Sequence, residues 1–141
     1  MRKPLLLIFH FVLCVELAAD DFKVEDVIHP VVIKLGKPRV IAALGEGHMA
    51  ISSNSEIAAS HVAQGLGRMN ASWDFEAYRH FCEAAKVDSE CLMAYWGIAM
   101  SLAGSQHEFF SEQKAAVHRM LDLLEPVIAA KKTGWFALQT R

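Results

Sequence analysis

The chain has no excess of positive charge with which to grip a nucleic-acid backbone. Its 14 lysines and arginines stand against 16 aspartates and glutamates, a formal charge of −2, so no basic surface is available to release counterions from a phosphate backbone. Nucleic acid is therefore not an expected partner. Long apolar runs are also missing: after residue 19 no stretch approaches the roughly 18–20 uninterrupted apolar residues that a membrane span needs. Cysteine is scarce, with only Cys14, Cys82 and Cys91. That is too few for a disulfide framework, and Cys82 and Cys91 read more readily as small buried hydrophobes than as a bridge. The chain has no glycine-rich phosphate loop, nucleophile elbow, paired-cysteine motif or closely spaced zinc ligands. No catalytic residue, metal ligand or cofactor is assigned. What remains is 141 residues, 53% of them hydrophobic, which is material for one compact domain.

The first segment has a different character from the rest. Arg2 and Lys3 precede an apolar run from Leu5 to Val15, followed by Glu16, Leu17, Ala18 and Ala19. This is the pattern of a secretory signal peptide, cut best after Ala19, because Leu17 and Ala19 then occupy the two positions a signal peptidase reads. The expectation is a signal peptide over 1–19, a secreted or periplasmic mature chain, and no membrane contact once the signal is removed. The mature chain keeps 12 basic and 15 acidic residues, a formal charge of −3. Residues 20–54 hold Pro30, Gly36, Pro38, Gly45 and Gly47, with VVIKL and RVIAAL as short apolar runs. They predict an extended leader, with a loose hairpin around Gly36 to Pro38.

Helical spacing takes over from Glu56. Ala58, Val62, Leu66 and Met69 recur every three or four residues, predicting a helix that ends near Asn70. Ser52 to Ser55 offer caps before it, and Ser72 offers one for a second helix with Asp74 and Glu76 in its first turn. Phe75, Tyr78, Phe81, Cys82 and Ala85 mark that helix's buried side. Cys91, Tyr95, Ile98 and Leu102 form a third stripe. A fourth helix starts between Gln106 and Ser111 and carries Val117, Met120, Leu121 and Leu124; Pro126 is expected to stop it or to start a short successor. The helical domain is thus 55–125, with a C-terminal tail at 126–141. Links of a few residues force neighbouring helices to be antiparallel.

Spacing within these helices is more specific. Gly65 stands twelve residues before Ala77, Phe81 follows four later and Ala84 three after that. Small residues at 65 and 77 let two helices approach, and Phe81 fills the wedge toward the next pair. Adding 34 residues carries His61 to Tyr95, Gln64 to Ile98 and Gly65 to Ala99. The period is that of tetratricopeptide (TPR) repeats. Copying is incomplete: His61, Arg68 and Ser89 replace the expected Trp, Tyr and Pro, and Ala116 with Met120 fits the second copy only after a longer loop. Gln64 to Leu66, Glu76 with Ala77, Phe81, Ala84 with Ala85, Asp88, and Cys91 to Leu102 resemble the start of a family of exported bacterial TPR proteins. The resemblance covers roughly residues 43–103 and implies an all-α fold of antiparallel helix hairpins, a short α-solenoid behind the extended leader. Members of that family carry more repeats, so a truncated or partial member is implied.

In such repeats the first helix of each hairpin lines a groove. By register the resemblance implies Val62, Leu66 and Met69 from the first repeat and Met93, Trp96 and Met100 from the second as its lining, with Met69, Met93, Trp96 and Met100 expected to meet a partner. Met adapts its shape and Trp anchors interfaces, so the set suits a protein or peptide. The expected function is a non-enzymatic protein–protein interaction module. Two alternatives stand beside it. One is a metal-binding or catalytic helical protein using Glu76, His80 and another histidine, since Glu76, His80 and Glu83 share a helix face. The other is a truncated paralogue without independent activity.

Overall fold

Side chains of His29 and Ser55 cap the helices that begin at Pro30 and Glu56. The computed structural model describes residues 21–42, 51, 53–104 and 107–139, the last eight by backbone alone. Among these residues the chain is all-helical, without a strand. A 3-10 turn at Val24–Val27 leads to α1 (Pro30–Leu35), then α2 (Glu56–Asn70), α3 (Asp74–Val87), α4 (Leu92–Ser101) and α5 (Phe110–Gln139). The expected signal peptide, and Gly45 and Gly47 of the leader, lie outside the described residues.

The leader departs from the expectation of an extended chain. Pro30 stands at the start of α1, where its missing N–H is no loss, and the His29 ring accepts from the Val31 N–H at 3.3 Å. Val27 and Val32 are buried, so the VVIKL run packs as a helical turn rather than a strand. Gly36 closes it at φ 68°, a conformation that glycine adopts without penalty. Tyr78 fixes this unit to α3: its hydroxyl donates to the Val27 carbonyl at 2.8 Å and accepts from the His29 N–H at 2.9 Å.

In α2 the Ser55 hydroxyl accepts from the Ala58 N–H at 3.3 Å, a side-chain N-cap. At the far end Ser72 does not cap α3, as its position suggested. It takes φ 59° and terminates α2 instead: its N–H donates to Met69 at 2.9 Å, while the Trp73 N–H donates to Arg68 at 2.9 Å. Without a side-chain cap, α3 begins with Asp74 and Glu76 against its dipole. Asp88 joins the two helices' distant ends. Its carboxylate accepts from Ser53 Oγ at 2.6 Å and from the Glu90 N–H at 3.0 Å, and these bonds hold it below the usual carboxylate range.

Three contacts establish how α2 and α3 run. Arg68 meets Glu76 close to the Ala71–Trp73 turn, while Gly65 with Phe81 and His61 with His80 meet farther from it on both sides, which only antiparallel helices allow. Phe81 is fully buried, and its ring also lies against Gly97 of α4. A Cβ added at Gly65 would come within 2.7 Å of that ring, and one at Gly97 would overlap it. The residue that makes room on α4 is therefore Gly97, not the expected Ala99. Burying Phe81 contributes on the order of 2–3 kcal/mol of hydrophobic stabilisation. Ala77, Ala84, Tyr95 and Ile98 are fully buried around it, whereas Phe75 is 39% exposed and only borders the core.

α5 packs on α4 and on the 3-10 turn. Ala116 is fully buried, Val117 and Met120 pack beside it, and Gln113 donates to the Ala99 carbonyl at 3.0 Å. Pro126 does not stop this helix, so no boundary falls at 125/126. Proline removes one backbone bond, to the carbonyl of Asp122, and both residues are exposed, so water can satisfy the freed oxygen.

Candidate binding surface

α4 is the only helix in the described chain without a charged residue: it reads LMAYWGIAMS. At 100° per residue, Ala94, Tyr95, Gly97, Ile98 and Ser101 occupy most of its circumference, and all are buried. The remaining arc carries Met93, Trp96 and Met100, at spacings of three and four. Met93 packs partly on the core, Trp96 is half-buried, and Met100 is 48% exposed. A helix that faces solvent on one arc ordinarily puts polar residues there. This one presents two thioethers and an indole. On α2, Val62 is fully buried, and Leu66 and Met69 pack against the core. Of the four partner-binding candidates, Met93, Trp96 and Met100 thus share a stripe, while Met69 lies on the neighbouring helix as part of the core's margin.

The histidine constellation assembles differently from its spacing on one helix face. His80 Nδ1 lies 3.0 Å from His61 Nδ1 of α2, both side chains buried. Both carboxylates on the His80 face are engaged by cations: Glu76 meets Arg79 at 2.5 Å and Arg68 at 4.0 Å, and Glu83 meets Lys37 at 3.3 Å and Lys86 at 3.6 Å. No group of three or more metal-binding side chains forms among the described residues. Burial, with Arg68, His61 and Arg79 adding to it, pushes the His80 pKa down to about 3. Burial and Lys37 lower that of His61, against a smaller opposing effect of Glu83. Two neutral rings at this distance share one proton, with one nitrogen donating and the other accepting. Cys82 and Cys91 are free and buried, with no bridge between them. Burial pushes the Cys82 thiol up to about 12, far from the reactive thiolate range.

Several of these partners were not singled out by the sequence reading. Gln64 is a clamp: its amide accepts from the Ile41 N–H at 3.1 Å and donates to the Ile41 carbonyl at 2.8 Å. Arg68 is 5% exposed, an unusual place for a guanidinium. No sequence signal paired His61 with His80, which lie ten residues before Ala71 and seven after Trp73. No family model, curated protein or solved structure matches the chain. Among the described residues, no helix is long and apolar enough to cross a membrane.

Proposed function

We propose that the chain is a non-enzymatic protein–protein interaction module of TPR type, which takes a peptide or protein segment along the Met93, Trp96 and Met100 stripe with Met69 at its edge. One observation carries the reading: an uncharged helix whose single open arc consists of large, soft apolar side chains. Such an arc gains free energy when covered, and Trp with Met favours an aliphatic, shape-adaptable ligand over a charged one. The spacing of Gly65, Ala77 and Phe81, and the shared seat of Phe81 against Gly65 and Gly97, support the repeat assignment. On the strength of its first 19 residues, the same reading has the chain exported.

Selection of a displayed peptide library on the purified protein tests it. Enriched peptides should be apolar and should bind through α4. Trp96→Ala and Met100→Glu should each weaken them tenfold or more with the helical circular dichroism signal intact, while Phe110→Ser, an exposed aromatic elsewhere, should leave them unchanged. Failure to enrich any sequence, or equal binding by Met100→Glu, would remove the basis for the assignment.

A further inference from the structure

From Ile33 to Ala42 every residue is exposed except Pro38. The backbone of this arch is pinned on both sides of that proline. Arg79 donates to the carbonyls of Leu35 at 3.3 Å and Gly36 at 2.9 Å, and Gln64 holds both backbone groups of Ile41. A chain fixed in this way cannot turn its apolar side chains inward. Ile33, Leu35, Val40 and Ile41 consequently stand 61%, 53%, 49% and 47% exposed. Ile57 of α2 adjoins Val40 and Lys37 around a shallow groove of about 300 Å³. Exposed aliphatics gathered in so short a segment mark a contact surface.

The charges set among these aliphatics have one sign. Lys34, Lys37 and Arg39 lie in a stretch from Val27 to Gly45 that holds no acidic residue. Lys37 meets Glu83, while Lys34 and Arg39 enter no ion pair among the described residues. Glu56 also borders the groove, and Glu83 is the carboxylate that Lys37 meets. Two copies meeting symmetrically through this patch would bring cations against cations. An acidic peptide would use the cations and leave the aliphatics uncovered. A surface that is anionic in its outer layer and hydrocarbon beneath it satisfies both.

We propose that the Ile33–Ala42 arch is a peripheral contact for an anionic lipid bilayer, with Lys34 and Arg39 meeting headgroup phosphates and Ile33, Leu35 and Val40 entering the acyl boundary. The expectation of no membrane contact rested on the lack of a second long apolar run, and peripheral binding needs no such run.

Cosedimentation of the full chain with vesicles of phosphatidylcholine alone, and of equal parts phosphatidylcholine and phosphatidylglycerol, tests the proposal. The Leu5–Val15 segment is common to every variant, so the differences between variants report on the arch. Wild type should prefer the phosphatidylglycerol vesicles. Each cation near such a surface is worth about fivefold in binding, so Lys34→Glu with Arg39→Glu should cost about 25-fold or more. Ile33→Ser with Val40→Ser should weaken binding to the same vesicles, and Met100→Glu should leave it unchanged. The proposal falls if wild type shows no preference for phosphatidylglycerol, if the charge variant binds as wild type does, or if Met100→Glu abolishes binding. It falls equally if Ile33→Ser with Val40→Ser dissolves a dimer in sedimentation equilibrium while vesicle binding is retained.

Discussion

The seat of Phe81 and the arch from Leu35 to Ile41 are built on the same two helices by opposite means. Phe81 is held by apolar packing: its ring lies between two glycines, and Ala77, Ala84, Tyr95 and Ile98 of the same core are fully buried. The arch has almost no buried side chain, only Pro38, and is held by polar clamps from Arg79 and Gln64 to its backbone. The buried His61–His80 pair joins the same two helices. Packing of the first kind is sensitive to volume, and clamps of the second kind to the loss of a single polar group. The helical body should therefore fail cooperatively, and the arch should detach locally.

The largest expected break is Phe81→Ala, which empties the space between Gly65 and Gly97. It should cost about 3–5 kcal/mol and abolish a cooperative thermal transition by circular dichroism, because a chain of this size has little more stability than that. Acid comes next. Above about pH 6.5 the histidine pair is neutral folded or unfolded, and its full contribution is present. As pH falls, the unfolded chain takes up protons that buried His80 refuses until about pH 3, so stability declines across that window, on the order of a few kcal/mol. Urea midpoints should drop steadily between pH 7 and pH 4, and His61→Gln with His80→Gln should flatten that part of the profile. A pH-independent midpoint would show that the rings are not held neutral.

Gly97→Ala should cost about 1–3 kcal/mol by overpacking against the Phe81 ring, and adding Phe81→Leu should recover part of the loss in a double-mutant cycle. The smallest effect belongs to Gln64→Ala. Loss of its two bonds to Ile41 should lower global stability by only about 1 kcal/mol while removing amide-exchange protection at Ile41. If Gln64→Ala instead destabilised the body as much as Gly97→Ala, the distinction between packed body and clamped arch would not hold.

The helical body was legible because its signals are local. Ala58, Val62 and Met69, and then Cys91, Tyr95, Ile98 and Leu102, repeat at helical spacing, and the α2 bounds follow from Ser55 at one end and Asn70 at the other. The errors came where a short signal had two readings. VVIKL suits a strand by composition but becomes α1, because Pro30 and His29 start a helix and Gly36 ends it. Pro126 ordinarily stops a helix, yet an exposed one deprives a chain already sixteen residues into α5 of a single bond. Ser72 can serve a helix on either side, and backbone conformation assigned it to α2.

The candidate surface was legible in part. Met93, Trp96 and Met100 fall on one arc because helix geometry alone places residues three and four apart together. That this arc is the open one, and that Met69 and Leu66 retreat to the core's edge, depends on which neighbours arrive.

By itself, the order of residues determined that the chain would be helical from Glu56 onward, where the turns of that part fall, and that α2 and α3 would pair antiparallel, because periodicity and short links act within a few residues of one another. Only the tertiary structure decided that Gly97 would share the Phe81 ring with Gly65, that His61 would face His80, and that Gln64 would hold Ile41. Those partners are separated by 16 to 23 residues of chain, and what joins them is the volume and polarity left over once the helices have packed.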